Sequence, residues 1–474
     1  MARHMTRATL RAAALLALLG LPCASPRTAL ARSLPQQDAP ASRPAAPEDD
    51  DALRDRVLRL LAETPLIDGH NDVPWQYRRR VNLQLDRIDF RDTTRLDAPM
   101  HTDLARLRAG RIGGQFWSVY VPINATGGGP RDFQTTLEQI DFVKRLVARY
   151  PDDLELAYTA DDVVRIHKAG KIASMMGAEG GHSIGDSLAA LRQLYAAGAR
   201  YMSLTHSRST RWADSANDEP RHGGLTRFGR EVVREMNRLG MLVDLAHVSP
   251  ETMHDALDVT EAPVIFSHSS ALAVTDNPRN VPDDVLKRVR ENGGVVMVTF
   301  LPFYVSDAAD DWNEQLRTRE RELRAQLGLP DPRAAGAATT QPGAAADDKK
   351  ETTLRAAMDE WRRANPPPWP TIADVADHVD HVRKVAGIDH IGIGSDFDGM
   401  PPGPVGLEDV SKYPDLFVEL LRRGYSDEDV KKIAGANVLR VMRQAEQTAA
   451  RLQRARPPSD ALIEHLDAAG ELLR

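Results

Sequence analysis

Residues 65–72 read PLIDGHND. The apolar start at Leu66 and Ile67 suits one short buried strand, and side chains two apart on a strand share a face. His70 and Asp72 therefore leave its end side by side, an imidazole and a carboxylate aimed the same way. Seven further runs repeat the plan: GGQFWSVYVP (113–122), KIASMMGAE (171–179), RYMSLTH (200–206), GMLVDLAH (240–247), APVIFSH (262–268), GGVVMVTF (293–300) and HIGIGSDFD (390–398). Glu179, His206, His247, His268 and Asp396 stand at the ends of these runs, and only the second and seventh close without such a group. One His or Asp at a strand end is usually a cap or a hydrogen-bonded loop residue. Recurrence at the same end of strand after strand predicts an α/β fold, a (β/α)8 TIM-type barrel whose C-terminal rim carries the chemistry.

Segments of helical period separate the runs: 133–150, 187–197, 226–239, 249–259 and 283–291, with Ser187, Thr226, Ser249 and Asp283 as expected N-caps and Gly198 and Gly240 as stops. This is the rhythm of a parallel sheet. The barrel is expected over residues 51–445, with an opening helix over 52–63, and a C-terminal helical extension over 446–474. One stretch, about 304–370, breaks the rhythm before a helix over 372–385. Charged helical pieces at 312–327 and 353–364 flank a low-complexity middle, 333–350, expected to be disordered. As a loop following a strand it opens on the active face, so a lid and a plain surface excursion are the two readings.

Residues 1–31 have the layout of a secretory signal peptide. Arg3, Arg7 and Arg11 precede an apolar stretch from Ala12 to Leu21, and Thr28-Ala29-Leu30-Ala31 offers a cleavage site. The stretch is too short for a permanent membrane helix. A Pro-, Ala- and Asp-rich linker over 32–50 should be solvated and disordered. The only cysteine, Cys23, falls before the cleavage site. It is also weighed as a lipid-attachment site, against the poor context of Gly20-Leu21-Pro22. A secreted or periplasmic protein without disulfides is expected, with no stable membrane insertion. The formal charge of −7 offers no basic footprint for nucleic acid.

The strand-end groups form a ligand set. His70 and Asp72 can share one divalent cation, His247 and His268 can converge on a second, and Glu179 can bridge them through its two oxygens. Five protein ligands exceed the three that one catalytic zinc usually takes. Two ions about 3.5 to 4 Å apart with a hydroxide between them fit the count better. Ligation by His, Asp and Glu without sulfur suits zinc best. Asp396, on the strand beside the first, is the natural proton-transfer carboxylate, and Asp398 reads chiefly as a loop cap.

The segments LIDGHNDVPW (66–75), GAEGGHSI (177–184), SLTHSRSTRWADS (203–215), FSHSS (266–270) followed by RNVPDDVL (279–286), and GSDFDG (394–399) occur in that order. On them the sequence resembles the renal or membrane dipeptidase family, metallopeptidases of the amidohydrolase superfamily, over roughly 65–440 apart from the insertion. The resemblance implies two zinc ions per subunit, one on His70, Asp72 and Glu179, the other on Glu179, His247 and His268. It implies that His206 lies at the substrate and stabilises the tetrahedral intermediate, that Arg279 pairs with the substrate's C-terminal carboxylate, and that Asp396 moves the proton. A guanidinium fork on a terminal carboxylate separates a dipeptide from a longer chain, and a donor such as His206 suits the developing oxyanion. The expected partners are dipeptides, with tolerance for D-configured C-terminal residues and β-lactams that mimic a dehydrodipeptide, and a homodimer. Mammalian members carry disulfides and a lipid anchor, whereas a mature chain without cysteine behind a bacterial-looking signal is expected to have neither, so membrane attachment is not carried over. Two rival readings stand beside the dipeptidase: another hydrolase on the same barrel, such as an N-acyl amino acid deacylase, and a non-catalytic binding protein.

Overall fold

The computed structural model describes residues 49–123, 129–330 and 345–467. The expected signal peptide, Cys23 and nearly all of the linker lie outside the described residues. Among the described residues nine strands form: β1 Leu66–Asn71, β2 Ile112–Ser118, β3 Leu154–Leu156, β4 Ile172–Ala178, β5 Ala199–Ser203, β6 Leu242–Asp244, β7 Ile265–Phe266, β8 Val295–Val298 and β9 Ile391–Ile393. All pairings are parallel, running β2-β1-β9-β8-β7-β6-β5-β4, and β4 returns to β2 to close an eight-stranded barrel. This is the expected (β/α)8 barrel. The ninth strand, β3, pairs with residues 172–174 of β4 below the point where β5 takes over at Met176. Three residues are too few to carry a period, so the sequence pattern does not announce it.

Both faces of the strands are buried, as a parallel sheet requires. Leu66, Trp117, Met176, Met202, Val243, Phe266 and Val296 pack in one apolar cluster with the helices. Their chain neighbours Ile67, Phe116, Met175, Tyr201, Leu242, Ile265 and Val295 pack in another. The alternation follows from the two-residue period of a strand, and each such side chain contributes roughly 1.5–3 kcal/mol on burial.

The helices begin where short polar residues satisfy free amides. Ser187, Thr226 and Ser249 accept from Ala190 N, Gly229 N and Thr252 N, while Gly198 and Gly240, at φ 124° and 84°, end their helices. Asp283 differs from expectation. Pro282 holds the N-cap position, and Asp283 and Asp284 form the first turn, where their charge complements the helix dipole. Helix Asn437–Ala455 runs unbroken through the expected boundary at 445, because Met442, Ala445, Ala449 and Leu452 form one buried stripe.

After β8 the insertion opens with a short helix, Pro302–Val305, followed by Asp307–Leu327 and Ala345–Ala364. The two long helices pack together around Leu323, Leu329, Leu354 and Met358, an apolar cluster separate from the barrel's. Helix therefore reaches back to Ala345, into the stretch expected to be disordered. At the base, Trp312 donates from Nε1 to the Asn365 carbonyl at 2.8 Å. Among the described residues no helix is long and apolar enough to cross a membrane.

Candidate active site

Each strand-end group stands within three residues of its strand: His70 in β1, Glu179 after β4, His206 after β5, His247 after β6, His268 after β7 and Asp396 after β9. The strands β6 and β7 are shorter than their apolar runs for a local reason. The buried Asp244 carboxylate accepts from Ala246 N (3.0 Å) and Ser267 N (2.8 Å). Amides bonded to that carboxylate turn the backbone out of the ladder toward the mouth. His247 completes the turn after β6 at φ 73°, and Asp396, after β9, stands at φ 68°, left-handed backbone that a non-glycine residue adopts only where its surroundings impose it.

All eight residues singled out in the sequence come together. Asp72, Glu179, His206, His247, His268, Arg279 and Asp396 line one cavity of about 290 Å³. His70 lies behind them, its ring centroid 3.9 Å from that of His268. Asp398 turns away, its carboxylate accepting from His101 N at 2.9 Å, as a loop cap does.

Glu179 sits at the centre with its two oxygens facing different partners. Oε2 lies 3.4 Å from His70 Nε2, which is itself 3.3 Å from Asp72 Oδ2. Oε1 lies 3.0 Å from His247 Nε2 and 3.6 Å from both His268 Nε2 and His206 Nε2. Three overlapping donor groups each fall within 4.8 Å: His70, Glu179 and His268; Glu179, His206 and His247; and His70, Asp72 and Asp396. Proximity alone thus sets His268 with His70, and His206 with His247. Division by the two carboxylate oxygens of Glu179 instead sets His247 with His268, and it is the better guide because each oxygen has its own lone pairs to offer.

The residues fit a cation. His70 Nε2 and Asp72 Oδ1 are buried with no hydrogen-bond partner, an arrangement that costs free energy unless something else satisfies them. The field agrees. Burial opposes a charged His70, but the Tyr201 hydroxyl and the Glu179 and Asp72 carboxylates outweigh it and hold the imidazole well above its ordinary pKa. Burial likewise opposes the Glu179 charge, yet His70, His206 and His247 hold that carboxyl well below its usual range. Burial pushes His247 well down, helped by Arg279 and His206, and pushes His268 well down, helped by His70 and His247. Both rings are therefore neutral, with lone pairs to offer. Asp396 is held well above the carboxylate range by burial, with Asp72 and Glu179 adding to the effect.

Residues 54–456 match the family model described as "Membrane dipeptidase (Peptidase family M19)". The chain belongs to this family. Dipeptidase verJ of Clonostachys rogersoniana is 40% identical over 407 residues, covering 84% of this chain and 88% of the relative. The crystal structure of the probable dipeptidase PvdM from Pseudomonas aeruginosa superposes with a TM-score of 0.68 at 25% identity, over 84% of this chain and all of that one. A metallopeptidase from Rhodobacter sphaeroides, liganded with a phosphinate mimic of L-Ala-D-Ala, shares the fold at TM-score 0.61 and 24% identity, over 81% of this chain and 99% of that one. The chain is accordingly a metal-dependent dipeptidase of family M19.

Four aromatic residues of the site escaped the sequence pattern. The Trp75 ring stands edge-on to Tyr120 at 4.9 Å, and Tyr120 lies 4.8 Å from the His206 ring. The Arg279 guanidinium sits 5.2 Å from the Tyr304 ring centre. Tyr201 touches His70 from within the barrel. Trp75 lies in a quoted segment, three residues past Asp72, and offered a signal. The tyrosines read as core aromatics, and nothing local distinguishes them.

Proposed function

We propose that this chain hydrolyses dipeptides, including those with a D-configured C-terminal residue, with two zinc ions held by its rim. His70, Asp72 and Glu179 would hold one, and Glu179, His247 and His268 the other. The observation that carries the reading is the division of Glu179, one oxygen toward His70 and the other toward His247 and His268. When bound, such ions activate water at neutral pH and polarise the attacked carbonyl. The chain's own residues supply the rest. Arg279 receives the substrate's free carboxylate, and its Nε is buried with no partner of its own. His206 is held below its ordinary pKa chiefly by burial, with Arg279 and His70 adding to it. It is a neutral ring with one proton to donate where negative charge develops. Asp396, its pKa raised, takes a proton more readily than a free carboxyl and delivers it to the leaving amine. At about 290 Å³ the cavity is at the small end of ligand pockets, a size that suits two residues.

Turnover should be measured for L-Ala-L-Ala, L-Ala-D-Ala, L-Ala-L-Ala-L-Ala and N-acetyl-L-alanine, before and after chelation and after zinc is restored. Hydrolysis of both dipeptides, lost on chelation and regained with zinc, is the expected result. Turnover of N-acetyl-L-alanine in place of the dipeptides would make the chain a deacylase and end the proposal.

A further inference from the structure

Tyr201 lies on β5 and is completely buried, and its hydroxyl meets two groups. One is His70 Nδ1 at 2.8 Å, and the other is the Gly69 carbonyl oxygen at 3.1 Å. A phenol has one proton to give. Donated to the Gly69 carbonyl, it leaves the hydroxyl oxygen free to accept from His70 Nδ1–H, and the bare lone pair of that ring is then on Nε2. Nε2 is the buried atom without a hydrogen-bond partner, facing Asp72 and Glu179. Donated the other way, the proton would put a hydrogen on Nε2 and leave the Gly69 carbonyl unserved by the phenol.

The ring is held closely by the neighbouring strand. Gly177 is its register partner on β4, and a Cβ there would lie 1.9 Å from the ring carbon that bears the hydroxyl. Any other residue at 177 would displace the phenol. On the opposite side of Glu179 a second histidine is treated alike. His268 Nδ1 lies 2.8 Å from Ser267 Oγ, which donates to Asp244 Oδ2 at 2.7 Å and so accepts from the ring. By contrast, His206 Nδ1 and His247 Nδ1 have no partner.

From this geometry we infer that Tyr201 is a positioning residue: it fixes the proton of His70 on Nδ1 and presents Nε2, unprotonated, to a divalent cation. The inference rests on the reading of His70 as a cation ligand. Such outer partners typically govern metal affinity by 10- to 100-fold.

The test titrates zinc into chelator-stripped wild-type protein, Tyr201→Phe and His70→Ala against a chromophoric competitor. Tyr201→Phe keeps the ring and loses only the hydroxyl. It should bind one ion as the wild type does and the other roughly 10- to 100-fold more weakly, with an unchanged far-UV circular dichroism spectrum. His70→Ala should lose that ion. Wild-type binding of both ions by Tyr201→Phe, with one lost from His70→Ala, overturns the role of Tyr201 and leaves the ligand reading standing. Two ions bound normally by His70→Ala overturn both. A readout free of variants uses zinc-loaded wild-type protein with ¹⁵N-labelled histidine. There the His70 Nδ1 proton should be visible and protected from exchange, and coordination through Nδ1 instead would overturn the proposal even if Tyr201→Phe failed to fold.

Discussion

Arg279 is 1% exposed, a burial that a guanidinium accepts only when its donors are used. Within the chain they are used poorly. Nη1 reaches Ser269 Oγ and Nη2 reaches the His268 carbonyl, both at 3.3 Å, and Nε reaches nothing. The Tyr304 ring lies beside the guanidinium, and on the proposed function the remaining donors serve a guest in the cavity that Arg279 lines. If that guest is a terminal carboxylate, Arg279→Ala removes charge-assisted bonds worth about 1.5–3 kcal/mol. The expected outcome is a KM for L-Ala-D-Ala raised roughly 10- to 100-fold, with a much smaller effect on the corresponding dipeptide amide, which lacks the carboxylate. Equal effects on acid and amide would take Arg279 out of substrate recognition. Arg279→Lys should restore little, because a point charge does not replace the fork.

The loop that carries Arg279 is pinned by another element, the helix Ile372–Val385. His378 on that helix is fully buried and accepts from Ala271 N at Nδ1, 3.0 Å away. Burial pushes its pKa down to about 4 from the ordinary 6.5, against the opposing Val305 carbonyl. The unfolded chain therefore binds the proton first. The stabilising effect of the neutral ring is complete above pH 6.5 and is lost as pH falls from 6.5 toward 4, by about 3 kcal/mol in all. His378→Asn keeps an acceptor near the same place and does not titrate. Denaturant unfolding of the two proteins between pH 4 and 7 should show the wild type losing stability on acidification more steeply than the variant, and parallel curves would refute the assignment. Neither this pin nor Tyr201 was legible in the sequence. A buried histidine on an apolar helix face and a strand tyrosine look like ordinary core, and their partners are more than a hundred residues away. The rim itself was legible because metal-binding residue types recur at one end of apolar runs, which a barrel brings together whatever lies between. Strand lengths were not, since they depend on which amides the Asp244 carboxylate draws off.

At the scale of the whole molecule the barrel holds two buried carboxylates, Asp72 and Glu179, and three buried histidines, His70, His247 and His268, in one mouth, with Asp396 beside them. The described protein leaves buried ligand atoms there unsatisfied. Ions that bind only the folded chain stabilise it by mass action, by about 4 kcal/mol for each site at a thousand times its dissociation constant. With the usual unfolding entropy per residue, a chain of this length gains roughly 1 °C in Tm for each kcal/mol. Two zinc sites at that saturation should therefore raise Tm by roughly 8 °C over the stripped protein. Calorimetry on stripped protein, during stepwise zinc addition, should show the rise in two stages. His70→Ala should keep only one of them, because on the proposed division Glu179 with His247 and His268 would still form a site. The helical insertion has its own apolar cluster, so a separate transition from it should stay fixed as zinc is added, while the barrel transition moves. A barrel transition that stays fixed while metal analysis shows two bound ions would mean that zinc binds the unfolded chain equally well, and the rim would then not be a preformed site.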